Sequence, residues 1–289
     1  SFIFFVCLND QNLRDLKGMD LYTNKTILIT GGTSGLGLEL VKSFLDKGNT
    51  VIATGRRELE LKSYEGKFHL YRVDFSDLKE TASVTKTICD NFSLDIVVNN
   101  AGILSPKEFT LTKNGFEYTY QVNYLAQHLV DEIIIKKHDP GKPLIISAVT
   151  SPVYKIAARD LNYARDKTNY NRTRAYSDSK LFQVLMCSHL SLKYKEQKMT
   201  FFSFLPGVFS SRIYRMQPKL FHALYHLAAP FMKDPVKVAA ELRGLLTQSN
   251  IVTGAVYNGK MHQKDLPDID EDLLSSFWRE SYSIINQFL

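Results

Sequence analysis

The chain carries only three cysteines, Cys7, Cys89 and Cys187, far apart and without a Cys-x-x-Cys pair. That excludes a disulfide framework. An odd, dispersed set of thiols predicts free cysteines in a reducing, cytoplasmic setting. Metal-binding side chains are equally sparse. His222 and His226 have the spacing of two ligands on one helical turn, but no Glu or Cys cluster completes a set of three or four, so no metal is expected. The amino-terminal apolar run, Ser1–Leu8, is far shorter than the roughly twenty residues a spanning helix needs. It leaves peripheral membrane association open. Residues 1–24 are expected to be an extension outside the catalytic domain, either the tail of a truncated segment or sequence upstream of a start at Met19. Acidic residues trail basic ones, 30 against 36, yet the excess is spread over short runs such as Arg56-Arg57, Lys136-Lys137 and Lys193 to Lys198. With no long basic segment and no nucleic-acid motif, it reads as a solvated surface. Linkers, low-complexity tracts and internal repeats are also missing, so residues 25–289 are expected to form a single domain.

What is present is a core and a rhythm. Hydrophobic residues make up 44% of the 289, enough for a globular interior. From Lys25 onward short apolar runs alternate with helical patterns. Strands are predicted at Thr26–Thr30, Thr50–Thr54, Phe68–Val73, Asp95–Asn99, Pro143–Ser147, Thr200–Leu205 and Ala255–Tyr257. Helices are predicted at Leu36–Lys47, Leu78–Phe92, Phe116–Lys137, Tyr176–Lys195, Val236–Gln248 and Glu271–Phe288. The strand runs are mostly continuous rather than alternating, as expected when both faces of a parallel sheet are covered. The fold class is therefore α/β, a doubly wound parallel sheet of about seven strands with helices on both faces. Two segments break the rhythm. Pro152–Arg174 is polar and tyrosine-rich and is expected to be irregular. Residues 209–235 are rich in aromatics and Met and are expected to form a lid.

The first strand leads into Thr30-Gly-Gly-Thr-Ser-Gly-Leu-Gly37, which opens the first helix. Gly31 permits a tight turn, Gly35 lets backbone approach a pyrophosphate, and Gly37 allows close helix–sheet packing. The helix start offers free N–H groups to phosphate. Thr33, Ser34 and Leu36 complete that loop. Asn99-Asn-Ala-Gly102 ends the fourth strand, Tyr176-Ser-Asp-Ser-Lys180 opens a long apolar helix, and Pro206-Gly207 ends the sixth strand. Tyr-x-x-x-Lys also occurs at Tyr163/Lys167 and Tyr194/Lys198, but only Tyr176 and Lys180 head an apolar helix after the fifth strand. Four residues apart, their side chains share one helix face. A phenol with an ordinary pKa near 10 exchanges protons poorly at neutral pH, and an ammonium beside it favours the phenolate.

This ordered set resembles the short-chain dehydrogenase/reductase family over about residues 25–260. The resemblance implies hydride transfer between a nicotinamide and an alcohol or carbonyl carbon. Tyr176 would move the proton, Lys180 would tune Tyr176 and hold the nicotinamide ribose, and Asn123 would support the relay behind Lys180. It further implies that Asp74 and Phe75 flank the adenine, that Asn100, Ala101 and Gly102 line the cofactor, and that Pro206, Gly207, Val208 and Ser211 meet the nicotinamide. It also implies a homo-oligomer. The family ends its fifth strand with Ser-Ser, whereas this chain reads Ile146-Ser-Ala-Val-Thr-Ser151. Ala148 aligns with the serine that polarises the substrate oxygen. Ser147 in a shifted register is the first candidate for that role, with Thr150 or Ser151 as substitutes and an absent donor as the remaining alternative. At the end of the second strand an NAD site would place an acid. Gly55-Arg56-Arg57 stands there instead, and guanidinium groups suit a 2′-phosphate, so NADP(H) is expected over NAD(H). The run 220–235 and Phe277-Trp278-Arg-Glu-Ser281 are similar to the branch holding retinol dehydrogenases and the WW-domain-containing oxidoreductase. The expected function is an NADP(H)-dependent oxidoreductase on a small apolar or lipid-like substrate. The alternative is a catalytically weak NADP(H)-binding sensor or scaffold.

Overall fold

The computed structural model describes residues 23–158, 167–207, 233–248, 250–260, 263–264 and 270–289. Strand and helix alternate as β1 (Thr26–Ile29), α1 (Gly35–Leu45), β2 (Thr50–Gly55), β3 (Phe68–Arg72), α2 (Leu78–Asn91) and β4 (Ile96–Asn99). Then α3 (Tyr118–Tyr120) runs through a π-helical stretch (Gln121–Leu125) into α4 (Ala126–Lys137). After β5 (Leu144–Val149) and a short 3-10 turn (Pro152–Ile156) come α5 (Arg172–Lys193), β6 (Met199–Leu205), α6 (Pro235–Leu246), β7 (Val256–Asn258), β8 (Gln263–Lys264) and α7 (Glu271–Ile285).

The sheet order is β3-β2-β1-β4-β5-β6-β7-β8. Every neighbouring pair is parallel except β7 and β8, a two-residue antiparallel edge. The first seven strands are those read from the sequence. Strand order reverses between β1 and β4, and such a switch point opens a crevice at the carboxyl ends of the strands.

Side-chain alternation splits the core in two. Ile27, Ile29, Val51, Ala53, Ile96 and Val98 pack with α1 and α6 on one face, among Leu40, Phe44, Leu242 and Leu246. Leu28, Ile52, Val97, Ile146 and Ala148 pack on the other with α2, α4, α5 and α7. These strands are buried on both sides, which is why their sequences run apolar without a polar beat. On the second face Phe277 of α7 stacks between Tyr124 (5.1 Å) and Phe182 (4.6 Å).

The structure amends three expectations. The predicted helix Phe116–Lys137 is interrupted by the π-helical stretch that holds Asn123. The segment Pro152–Arg174 is not irregular throughout. Asn171 accepts hydrogen bonds from the N–H groups of Thr173 and Arg174, so α5 begins four residues before Tyr176. Strand β5 runs on past Ser147 to Val149. Residues 208–232, most of the expected lid, lie outside the described residues, as do Val208, Ser211 and the amino-terminal run. None of the described helices is long and apolar enough to cross a membrane.

Candidate active site

A cavity of about 440 Å³ opens at the switch point. Its floor is the glycine loop. Gly31 adopts φ +68, a left-handed conformation, and a Cβ there would come within 2.9 Å of the Ala101 backbone. A Cβ on Gly37 would overlap the Gly31 carbonyl oxygen, so α1 can start this close to β1 only with glycine. A Cβ on Gly35 (φ +55) would point into open space, with no neighbouring side chain or loop within 4 Å. Ser34, the N-cap of α1, makes no side-chain capping bond, which leaves its hydroxyl and the first helical N–H groups for something in the cavity. An open cradle of backbone N–H groups at a helix start, free of carboxylates, fits the pyrophosphate of a dinucleotide. Thr33, Ser34 and Leu36 line it with the three glycines.

Around this floor the cavity wall collects the other residues singled out in the sequence. Arg56 and Arg57 follow β2 at one end, beside Asp74 and Phe75 after β3. Arg56 reaches to 3.9 Å from the Asp74 carboxylate but is 63% exposed, so that pair is loose and the guanidinium remains open to solvent. Asn100, Ala101 and Gly102 continue β4 along the middle. The Thr30 hydroxyl accepts hydrogen bonds from the N–H groups of Asn100 (3.0 Å) and Ala101 (2.9 Å), pinning this turn to the glycine loop. Pro206 and Gly207 close the far side after β6.

Tyr176 and Lys180 line the same cavity, one helical turn apart on α5. Lys180 Nζ lies 5.8 Å from the Tyr176 ring centre and donates to the Val149 carbonyl (3.0 Å) and the Gln183 Oε1 (2.8 Å). Burial lowers its pKa to about 7, so its charge can change near neutrality. Asn123 does not line the cavity and stands behind it. Its Nδ2 donates to the Ile103 carbonyl and the Ser179 hydroxyl, both at 3.0 Å, while its Oδ1 accepts from Ile103 N–H at 2.8 Å. It thus ties the turn after β4 to α5. Lys180 and Asn123 converge under Gly102, where a Cβ would come within 3.5 Å of one and 3.3 Å of the other.

Ser147 is not brought to this cavity. It shares strand parity with Ile145 and Val149, which pack on the α1/α6 face, while α5 covers the opposite face through Ile146 and Ala148. Its buried hydroxyl points 3.4 Å from the Val97 carbonyl inside the sheet. The extension of β5 to Val149 instead carries Thr150 and Ser151 to the wall. The Thr150 hydroxyl is spent on the Lys180 carbonyl at 2.9 Å. Ser151 Oγ accepts the Val153 N–H at 3.5 Å and keeps its own proton to donate. The wall also has an apolar stretch of Ile103, Leu104, Tyr118 and Val122, which the motifs did not single out. Its only sequence signal is position, just after Asn100-Ala-Gly102 and on the helix before Asn123. Among the described residues no group of His, Cys, Asp and Glu could hold a metal ion.

Known proteins similar to this chain include dehydrogenases and a ketoreductase. A family model described as short chain dehydrogenase matches residues 25–157. Retinol dehydrogenase 14 of Mus musculus is 26% identical over 93% of this chain and 88% of its own length. A putative daunorubicin C-13 ketoreductase of a Streptomyces species is 25% identical over 90% of this chain and 92% of its own. Among solved structures, a short chain dehydrogenase from Leptospira borgpetersenii with bound NAD+ superposes with a TM-score of 0.65. It is 22% identical and spans 89% of this chain and 96% of its own.

Proposed function

We propose that the chain, matched over residues 25–157 by a short chain dehydrogenase model, is a short-chain dehydrogenase/reductase, an NADP(H)-dependent oxidoreductase interconverting an alcohol and a carbonyl on a small apolar or lipid-like substrate. The observation that carries this reading is that Tyr176 and Lys180 open into the same cavity as the glycine cradle. With its pyrophosphate in that cradle, a dinucleotide would bring a nicotinamide to supply or accept the hydride. The protein's own part is positioning and proton movement. In the reducing direction the Tyr176 hydroxyl gives its proton to the substrate oxygen, and Lys180 stabilises the phenolate that remains. Asn123 holds the turn that faces both. Ser151, rather than Ser147, donates a hydrogen bond to the substrate oxygen, since it stands at the cavity wall just after β5 and its bond to Val153 N–H uses it only as an acceptor, whereas the Thr150 hydroxyl donates to the Lys180 carbonyl. Ile103, Leu104, Tyr118 and Val122 favour an apolar substrate beside them. Arg56 and Arg57 favour a 2′-phosphate.

The test is turnover of NADPH and of NADH against a panel of apolar aldehydes and ketones, followed by absorbance. Preference for NADPH is expected, about tenfold or more in kcat/KM. Faster turnover with NADH would remove the argument from Arg56. A second reading, a cofactor-binding sensor or scaffold with weak catalysis, is favoured by one observation: Ala148 carries no hydroxyl and Ser147 faces away from Lys180. NADPH binding without turnover across the panel is the outcome it predicts.

A further inference from the structure

Gln183 follows Lys180 by three residues on α5, so the two side chains leave neighbouring positions on one helix face. It is fully buried. Its Oε1 accepts from Lys180 Nζ at 2.8 Å, while its Nε2 finds no partner among the described residues. A buried amide that makes only part of its hydrogen bonds is unfavourable, and methionine or leucine would fill the same space without that cost. What the amide does here is reach Lys180. An ammonium has three N–H donors. One goes to the Val149 carbonyl, one to Gln183, and the third is left for the cavity that Lys180 lines.

We propose that Gln183 is a positioning residue for Lys180: with the Val149 carbonyl, its amide oxygen fixes the ammonium at the cavity wall and gives it neutral acceptors only. The consequence for catalysis rests on the oxidoreductase reading above, but the geometry itself does not. Charge near Lys180 is otherwise scarce. Strands β5 and β6 carry no titratable side chain. The α3–α4 segment contributes Tyr118, Tyr120, Tyr124, His128, Asp131 and Glu132, and the turn after β5 contributes Tyr154 and Lys155. On α5 itself the nearest are Tyr176 and Asp178. The three carboxylates have other donors: Asp178 accepts from Ala158 N–H, Asp131 from Asn99, and Glu132 from Lys193. Burial alone therefore sets the ionisation of Lys180, and a neutral neighbour at position 183 keeps it in the range where protons are exchanged.

The experiment is competitive labelling of the full chain with trace acetic anhydride across a pH series, reading Lys180 by peptide mass spectrometry. Gln183→Glu places a carboxylate on the same donor and should raise the Lys180 midpoint by more than one pH unit. Gln183→Met, close in volume but without an acceptor, should lower it, and it keeps the question open to test if the Glu variant does not fold. Midpoints unchanged in the folded variants overturn the proposal. Protection of Lys180 by NADPH is read in the same samples. A midpoint that moves without NADPH protection supports Gln183 and counts against the cofactor reading. A fixed midpoint with NADPH protection overturns Gln183 and leaves the cofactor reading standing.

Discussion

Tyr176→Phe deletes one oxygen from a side chain that lines the cavity and leaves its ring in place. If that oxygen carries the proton, kcat should fall by about 10²–10⁴-fold. NADPH affinity, expected to rest on the glycine cradle, should change little. Fluorescence titration of NADPH alongside steady-state kinetics separates the two, and undiminished turnover would remove Tyr176 from the mechanism. A paired comparison settles the oxygen-polarising hydroxyl. Ser151→Ala should cost about 10²–10³-fold in kcat, the usual consequence of losing one such donor. Ser147→Ala should stay within a few-fold, because its hydroxyl serves only the Val97 carbonyl within the sheet. The reverse ranking would mean that the substrate oxygen lies on the other side of β5.

Helix α5 places both Tyr176 and Lys180 at the cavity wall, and its start is set by a cap. Asn171 Oδ1 receives the Thr173 and Arg174 N–H groups. Asn171→Ala should destabilise the protein by about 1 kcal/mol, visible as a lower denaturation midpoint, with the NADPH dissociation constant unchanged. An unaltered midpoint would show that tertiary packing alone holds that end. This helix start was hard to see in the sequence because its first turn, Arg172-Thr-Arg174, is polar and gives no periodic signal. Strand β5 misled for a related reason. A strand between two covered faces shows no alternation, so nothing in Ile146-Ser-Ala-Val149 marks which residues face α5. Ending the strand at Ser147 puts that serine at its last position, where a shifted register could turn it to the cavity. The structure continues the strand to Val149, and parity turns Ser147 away. By contrast the glycine loop, Asn100-Ala-Gly102 and Pro206-Gly207 were legible together, because each ends a strand at the same edge of one sheet. The π-helical stretch around Asn123 left no mark, since Gln121-Val-Asn-Tyr-Leu125 is ordinary helical sequence.

Across the whole molecule, the least legible feature is the polar cluster under α7, whose members are 61 residues apart in sequence. Glu132 of α4 is buried and pairs with Lys193 of α5 at 2.7 Å. Burial would raise its carboxyl, but His128 and Lys193 hold it down at about 2. Trp278, the single tryptophan, lies over this cluster with its ring 3.7 Å from that of His189 and 4.3 Å from that of His128. Burial depresses the pKa of His128, and burial together with the Lys193 charge takes His189 to about 4. In the unfolded chain both histidines titrate near 6.5. The unfolded state therefore takes up protons below pH 6.5 that the folded state refuses, and stability falls as pH drops toward 4, where the His189 contribution is fully lost. Asp131 works the other way. Burial raises it to about 8, so the folded state holds its proton while the unfolded carboxyl, near 3.9, does not, and its contribution grows as pH falls from 8 to 4. Lys180 opposes it only above pH 7, where the unfolded amine is protonated and the folded one is not. Between pH 6.5 and 4.5 the two histidines act against Asp131 and Glu117, whose carboxyls burial raises. His189→Gln isolates one share. Its denaturation curves, read by Trp278 fluorescence, should lose less stability than the native chain between pH 6.5 and 4.5, by about 1–2 kcal/mol once solvent screening of this partly exposed ring is allowed for. Parallel curves for the two proteins would mean that α7 docks without regard to the charge on His189.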